Sequence, residues 1–422
     1  MVSPKSHVIE LNEFSLPLLK QAAHELNLSN IKRILAFSHG TTMADQKIEH
    51  QGLDPWVQWV SIHAEIPSQV HGIIRLGDVP KLKHEQIWER LAKKGITTGV
   101  WGIMNGSRKN APSNTFFFAD PWTFSETPFP SKLNDFLALP IYYAKNYLSL
   151  SISKLLRSTF QTFKFILQQV PISTLAADAW FLLRNAAGTK IDSCFLFAAF
   201  ELVSVRLFVK YRNLHKPDVT FLFLNSIAHF QHHEWKNNVL DRKTAFLFRS
   251  IDRMLSTVLP PEASQDRILI LNGLTQKNVE NDSLYCYRQI DPANFLKALG
   301  LRFSKVEQCM TSDGHVFFDN PADCLTAAEF LKHGTVNGEA AFDVEIDNIN
   351  NCKLFYQVAY WGEANTSTNL CFNGLELPFL SQFSVHAKRT GAHSDEGDYF
   401  VQGAALPPKV ENAKILSYLW PA

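Results

Sequence analysis

The sequence predicts an α/β fold: a mostly parallel sheet sandwiched by helices, with a helical insertion and a small β-hairpin insertion. Three observations carry that expectation. Strand and helix signals alternate near the start of the chain and again after Val219. The stretch between them, about 124–216, is strongly helical with few strand signals. Hydrophobic residues make up 46% of the 422 residues and charged ones 19%, enough for a sizeable core. Five segments follow: 1–123 and 217–340 as two parts of the α/β core, 124–216 as a helical lid, 341–389 as a β-hairpin insertion, and 390–422 as the closing segment.

Taken in order, His7–Leu11 reads as a strand, Leu16–Leu26 as an amphipathic helix and Ile34–Phe37 as a second short strand. Ile87–Lys94 reads as a helix stopped by Gly95, a favourable C-terminal cap, and Thr97–Ile103 as the next strand. After the turn-rich Phe124–Pro130 come the helical stretches Ile141–Gln169 and Ala177–Tyr211. Val219–Leu224 and Ile268–Leu271 read as buried strands around a helix near Thr244–Leu259. Ala341–Tyr360 has the alternation of a hairpin, and Tyr399–Val401 and a helix-like Asn412–Leu419 close the chain.

Charge excludes one broad class. With 41 basic and 40 acidic residues the net charge is +1, so no bulk field is available for nucleic acid. Six scattered cysteines with no C-x-x-C pair read as reduced, packed thiols. Met1–His7 lacks the pattern of a secretory leader, and no apolar run reaches the roughly 20 residues that span a bilayer. A soluble cytoplasmic protein is the expectation. Within the helical insertion, Lys145, Lys154, Arg157 and Lys164 lie among Leu, Ile and Phe. That pattern fits a peripheral membrane contact or an ordinary lid with a solvated side.

The richest chemistry lies between Phe221 and Trp235, where an apolar strand run leads at once into Asn225, His229, His232 and His233. Imidazole is the commonest side-chain metal ligand, and a helix over 228–235 puts the three histidines at i, i+3 and i+4. Other segments add to it. Ser61-Ile62-His63-Ala64-Glu65-Ile66-Pro67-Ser68-Gln69-Val70-His71-Gly72-Ile73 precedes Ile87-Trp88-Glu89-Arg90-Leu91 and Gly95. Ile268–Leu271 follows, and Thr390-Gly391-Ala392-His393 leads to Gly397 and Gly403 near the end.

In this order the segments resemble the alkaline phosphatase superfamily, in particular its phosphodiesterase and nucleotide-pyrophosphatase branch. The first looks like that branch's S-I-x-T-G-x-P-x-x-x-H-G-I stretch. Phe221–His229 stands where those enzymes carry a strand, a metal-binding Asp and a metal-binding His. The resemblance covers about two thirds of the chain and leaves the helical insertion unmatched. It implies hydrolysis or transfer of a phosphate or sulfate ester, such as one on a surface saccharide or its nucleotide-linked precursor. The family clamps such groups with two divalent ions held by Asp and His.

Here several of those ligands are replaced. Asn12 and Asn225 stand at two Asp positions, and Asn272-Gly273-Leu274-Thr275 stands where the family has S-D-H-G. Pro55 falls at the nucleophile position. His229 and His393 match, so the expectation is at most one divalent ion, zinc or manganese, held by His229, His233 and His393. Asn12, Asn225, Thr275 and Gln276 become substrate contacts, with Asn12 equally readable as a helix cap and with Glu10 and Glu13 flanking it. Thr41 or Thr42 offers the nearest hydroxyl nucleophile, and Asp54 or His232 a proton carrier. Trp56 and Trp59 read as packing or as a sugar platform. The alternative is a non-catalytic relative that binds a ligand or partner in the old pocket.

Overall fold

In the computed structural model, residues 4–45, 53–108, 114–146, 150–186, 192–237, 239–282, 284–309, 312–347 and 350–421 are described. The chain divides into two units, Met1–Lys277 with Ala392–Ala422, and Asn278–Gly391.

The first unit opens with β1 (Ser6–Leu11), α1 (Leu16–Glu25), α2 (Ser29–Leu35), β2 (Ser38–Met43), α3 (Pro55–Ala64), α4 (Ser68–His71) and α5 (Ile87–Lys93). It continues with β3 (Thr98–Ile103), β4 (Asn114–Ala119), α6 (Leu133–Asn146), α7 (Ile152–Gln169), α8 (Ile172–Asn185) and α9 (Ser193–His215). Then come β5 (Val219–Leu224), α10 (Ser226–His233), α11 (Arg242–Val258), β6 (Arg267–Leu271) and β7 (Thr275–Asn278). The second unit holds β8 (Tyr285–Gln289), α12 (Pro292–Ala298), β9 (Lys305–Gln308), β10 (Asp313–Phe317), α13 (Pro321–Lys332), β11 (Thr335–Val336) and β12 (Glu339–Ala340). It ends with β13 (Phe342–Ile346), β14 (Lys353–Val358), β15 (Asn369–Phe372), β16 (Leu375–Pro378), α14 (Phe379–Gln382) and β17 (Phe383–Lys388). The chain closes with β18 (Gly391–Ser394), β19 (Glu396–Gln402) and β20 (Lys409–Glu411).

Eight strands form the main sheet in the order β20-β2-β19-β6-β1-β5-β3-β4. β6, β1, β5, β3 and β4 run parallel, and β19 runs antiparallel to both β2 and β6. Parallel strands are covered on both faces, and β1 shows how the sequence meets that demand. Its side chains alternate, so Val8 packs with Trp59, Ile62, Trp88 and Phe221 on one face. Ile9 and Leu11 pack with Leu19, Phe208, Phe248 and Leu222 on the other.

Two expectations need correction. Ile34–Phe37 is not a strand: Ile34 closes α2, where Ile31 and Ile34, three residues apart, bury one helical stripe, and β2 starts at Ser38. The hairpin expected at 341–389 is part of a whole second unit that begins at Asn278, well before the expected core boundary at 340. That unit has two four-stranded sheets and its own core, with Tyr287, Phe295, Phe342, Tyr356 and Phe383. Its strands are short, so in sequence they read as core punctuation.

Candidate active site

β1, β5 and β6 end together at Leu11, Leu224 and Leu271. The C-terminal ends of parallel strands are where α/β folds collect ligands. The chain turns sharply after β1: the Asn12 N–H donates to the Leu224 carbonyl at 2.9 Å and the Glu13 N–H to the Asn272 carbonyl at 3.0 Å. Glu13 takes a left-handed φ of 59°, uncommon for a residue with a side chain. Such strain persists only where surroundings over-determine it. The Gln231 amide does so here, donating to the Glu13 carbonyl at 2.8 Å while its own oxygen accepts from the Ser15 N–H at 2.9 Å.

The turn buries the Glu13 carboxylate at 2% exposure. Its Oε1 accepts from Asn12 Nδ2 at 2.8 Å, and its Oε2 accepts from Gln276 Nε2. Oε2 also faces His232 Nε2 at 2.9 Å and His393 Nε2 at 3.1 Å, and those two nitrogens lie 3.2 Å apart. Burial pushes the Glu13 carboxyl up, but the imidazoles of His393 and His232 outweigh it and hold it well below the usual carboxylate range.

The tautomer of His393 follows from its other contact. Its Nδ1 lies 2.6 Å from the Leu53 carbonyl, which can only accept, so Nδ1 carries a proton. Nε2 of a neutral His393 then offers a lone pair toward a carboxylate oxygen, and a proton or a cation must stand between them. Three atoms separated by 2.9, 3.1 and 3.2 Å are spaced close to the roughly 3.3 Å between two ligands of a tetrahedral zinc ion. A ring N–H given to a backbone carbonyl is also the usual support of a metal-binding histidine. Glu13, His232 and His393 therefore fit one divalent cation.

His232 reaches this group because of how α10 begins. Glu201 of α9 accepts from the backbone N–H groups of Asn225 and Ser226, the latter at 3.0 Å, and so fixes the first turn. Burial pushes its carboxyl up to about 7 against the hydrogen bonds from Ser226 and the backbone. Each helical residue turns by about 100°, so His229 and His233 lie close in angle and His232 diverges. The rings of His229 and His233 are 5.0 Å apart, and His229 also packs on Phe197 at 4.3 Å and approaches Ser193 Oγ at 3.3 Å. His229 and His233, expected as ligands beside His393, are outside the described group that could hold an ion, which is Glu13, His232 and His393.

The other expected site residues divide in the same way. Asn12 is 1% exposed, and its amide is committed to protein partners: Oδ1 accepts from Trp59 Nε1 at 2.7 Å, and Nδ2 donates to Glu13 and to Asn225 Oδ1 at 2.7 Å. It positions Glu13 and does not cap α1, whose N-cap is Ser15. Asn225 is half-buried beside it. Gln276 holds Glu13 and the Ala228 carbonyl, while Thr275 Oγ1 donates to the Phe14 carbonyl at 2.9 Å. Thr41 and Thr42 are corrected too. Both lie within β2, where Thr42 is fully buried and pairs with Gly397, and Thr41 Oγ1 is 3.5 Å from the Pro408 carbonyl. Asp54 precedes α3, one residue after the Leu53 that holds His393. Trp59 is fully buried and so offers no sugar platform, while Trp56 is half-buried with its Nε1 donating to the Ile74 carbonyl at 3.1 Å. His71 is buried, 3.0 Å from Ser61 Oγ.

Glu13 completes the group that could hold an ion, though sequence reading noted it only as a neighbour of Asn12. Its signal was an acid just past an apolar strand.

No family model and no curated protein matches the chain. Among solved structures it is similar to phosphonoacetate hydrolase from Sinorhizobium meliloti 1021 in complex with phosphonoacetate. That match has 12% identity and a TM-score of 0.42, over 97% of this chain and 94% of that one. It is likewise similar to murine ectonucleotide pyrophosphatase/phosphodiesterase 5, at 10% identity and a TM-score of 0.42 over 98% of this chain and 94% of that one. The human ectonucleotide pyrophosphatase/phosphodiesterase 5 matches with the same values.

Proposed function

We propose that the chain is a divergent member of the alkaline phosphatase superfamily that hydrolyses or transfers a small phosphate or sulfate ester with one divalent ion, zinc or manganese. The observation that supports this reading is the convergence of Glu13 Oε2, His232 Nε2 and His393 Nε2 at 2.9 to 3.2 Å. A divalent ion bound there would act as a Lewis acid on an ester oxygen and neutralise the charge that develops on it.

The chain's own groups supply the rest. Glu13 brings the one full negative charge among the three. Asn12 and Gln276 hold both of its oxygens, so the carboxylate cannot swing away from the imidazoles. The Leu53 carbonyl keeps the His393 proton on Nδ1, so the Nε2 lone pair is the one turned toward Glu13 and His232. Since Thr41 and Thr42 lie within β2, with Thr42 fully buried, water is the acceptor we assign in hydrolysis. Asp54, beside Leu53, is the carboxylate we assign to take its proton.

The second reading, a relative that binds such an ester without turning it over, has Pro55 in its favour. That residue stands at the family's nucleophile position and begins α3 with no side-chain hydroxyl.

Metal content of the purified chain, measured beside turnover of aryl phosphate, phosphodiester, sulfate ester and sugar-phosphate substrates, tests both. About one ion per chain, with ion and turnover both lost in His232→Ala, His393→Ala and Glu13→Gln, is the expected result. An ion without turnover supports the binding relative. No ion, or turnover indifferent to all three substitutions, overturns the proposal.

A further inference from the structure

Helix α7 carries two apolar stripes. One is spent on the core: Thr162 and Phe165 are buried, and Leu155 and Ile166 are half-buried. The other is exposed. Ile152, Leu156, Phe160, Phe163 and Leu167 recur at spacings of four, four, three and four residues, so they share one face, and Ile152 is 75% and Phe160 68% exposed. At about 100° per residue that stripe is centred well over a quarter-turn from the core-facing one. Soluble surfaces rarely leave such a run of large apolar side chains without an occupant.

The charge around the stripe says what the occupant is. From Phe136 to Ala186 the sequence has five basic residues, Lys145, Lys154, Arg157, Lys164 and Arg184, and one acidic residue, Asp178. The chain's overall share, 40 acids in 422 residues, would place about five there. Asp178 adds no exposed charge, since it is 2% exposed and ion-paired with Arg206 and Arg253. Arg157 and Lys164 are exposed and border the apolar stripe on α7. On α8, Trp180 is 67% exposed and lines a cavity of about 630 Å³ together with Arg184 and Arg249. Neither of those arginines has a hydrogen-bond or ion-pair partner among the described residues. No described helix is by itself long and apolar enough to cross a membrane, and α7 and α8 meet at a bend of 117°.

We infer that the exposed face of α7 docks on a bilayer surface rich in anionic phospholipid. The apolar stripe sits at the acyl boundary, and Arg157 and Lys164 meet the phosphate headgroups, with the Trp180–Arg184–Arg249 cavity as a second anion contact. An amphipathic helix with a basic flank and an aromatic-rich apolar side lies in an interface in this way. A second copy of this chain suits the face less well, because Arg157 and Lys164 would meet the same two basic residues across the contact, with no exposed acid on α7 to pair them.

Co-sedimentation of the full chain with vesicles tests this independently of the ester chemistry. Binding to vesicles of phosphatidylcholine with phosphatidylglycerol, absent with phosphatidylcholine alone and weakened by salt, is expected. The double variant Phe160→Glu with Phe163→Glu should abolish it. Arg157→Gln with Lys164→Gln should weaken it about 25-fold, at roughly fivefold per charge. Circular dichroism should be unchanged in both. Equal binding to neutral vesicles, binding indifferent to either pair of substitutions, or a dimer in light scattering that Phe160→Glu with Phe163→Glu splits would each overturn the inference. Resistance to alkaline carbonate extraction would overturn it as well, in favour of insertion.

Discussion

Replacing Glu201 with Gln isolates one buried charge and its pH dependence. Glu201 is 8% exposed, its Oε1 receives the first two amides of α10, and its Oε2 has no described partner. Burial raises its pKa from 4.5 to about 7. A carboxyl whose folded pKa lies above its unfolded value contributes stability that is complete below pH 4.5 and is lost as pH rises through 7. At 1.36 kcal/mol per pH unit, that gap amounts to about 3 kcal/mol. Gln keeps the Oε1 acceptor and cannot ionise, so the variant lacks this slope. Eight of the nine tryptophans lie in the first unit, Trp361 being the exception, so urea unfolding followed by tryptophan fluorescence reports on the right part of the chain. Between pH 4.5 and 8.5 the variant should gain about 3 kcal/mol on the native protein. Parallel stability curves for the two proteins over that range would refute the reasoning.

Two further substitutions probe the supports of the site and of the packing of α8 against α9 and α11. Asp178→Ala leaves the guanidinium groups of Arg206 and Arg253, now 2.8 and 2.6 Å from that carboxylate, without their shared partner. A loss of about 3–5 kcal/mol is expected in thermal unfolding, with part recovered when Arg206→Met is added. Gly273→Ala forces a side chain into φ 74° and brings its Cβ to 3.0 Å from the Trp59 ring, at a cost of about 1–2 kcal/mol for the left-handed backbone alone. Because Trp59 holds Asn12 and Asn12 holds Glu13, chelator competition should also show metal affinity falling about 10–100-fold.

Much of the parallel core was legible in sequence because its signals are local. Val219–Leu224 and Ile268–Leu271 are continuous apolar runs, and they correspond to β5 and β6 almost residue for residue. Gly95, at φ 72°, ends the turn after α5 as its position beyond Lys94 suggested. Where a short apolar run stands alone, as at Ile34–Phe37, a strand and the last turn of a helix look alike, and only the packing of Ile31 with Ile34 decides. The site was legible as a region but less so as a set of atoms. Helical spacing identified the face of α10, yet the choice between His229 and His232 depends on where β1 turns and on His393, contacts 219 and 161 residues away in sequence. Glu13 depended on a left-handed turn that no local pattern announces.

The amides around Glu13 are best understood together with it. Asn12 Nδ2 sits 2.8 Å from Glu13 Oε1 and 2.7 Å from Asn225 Oδ1. If positions 12 and 225 were Asp, the carboxylate at position 12 would lie within hydrogen-bonding distance of the other two. Each close pair would repel by about 6 kcal/mol at an effective dielectric of 20, and added cations would be needed to offset that. With Asn at both positions, one NH2 group bridges two acceptors and the local charge falls to the single carboxylate of Glu13. One carboxylate and two imidazoles suit one divalent ion and cannot neutralise two. Asn at positions 12 and 225 and the inward turn of Glu13 therefore act together, and Asn12→Asp alone would leave an acid facing Glu13 with no added cation to separate them.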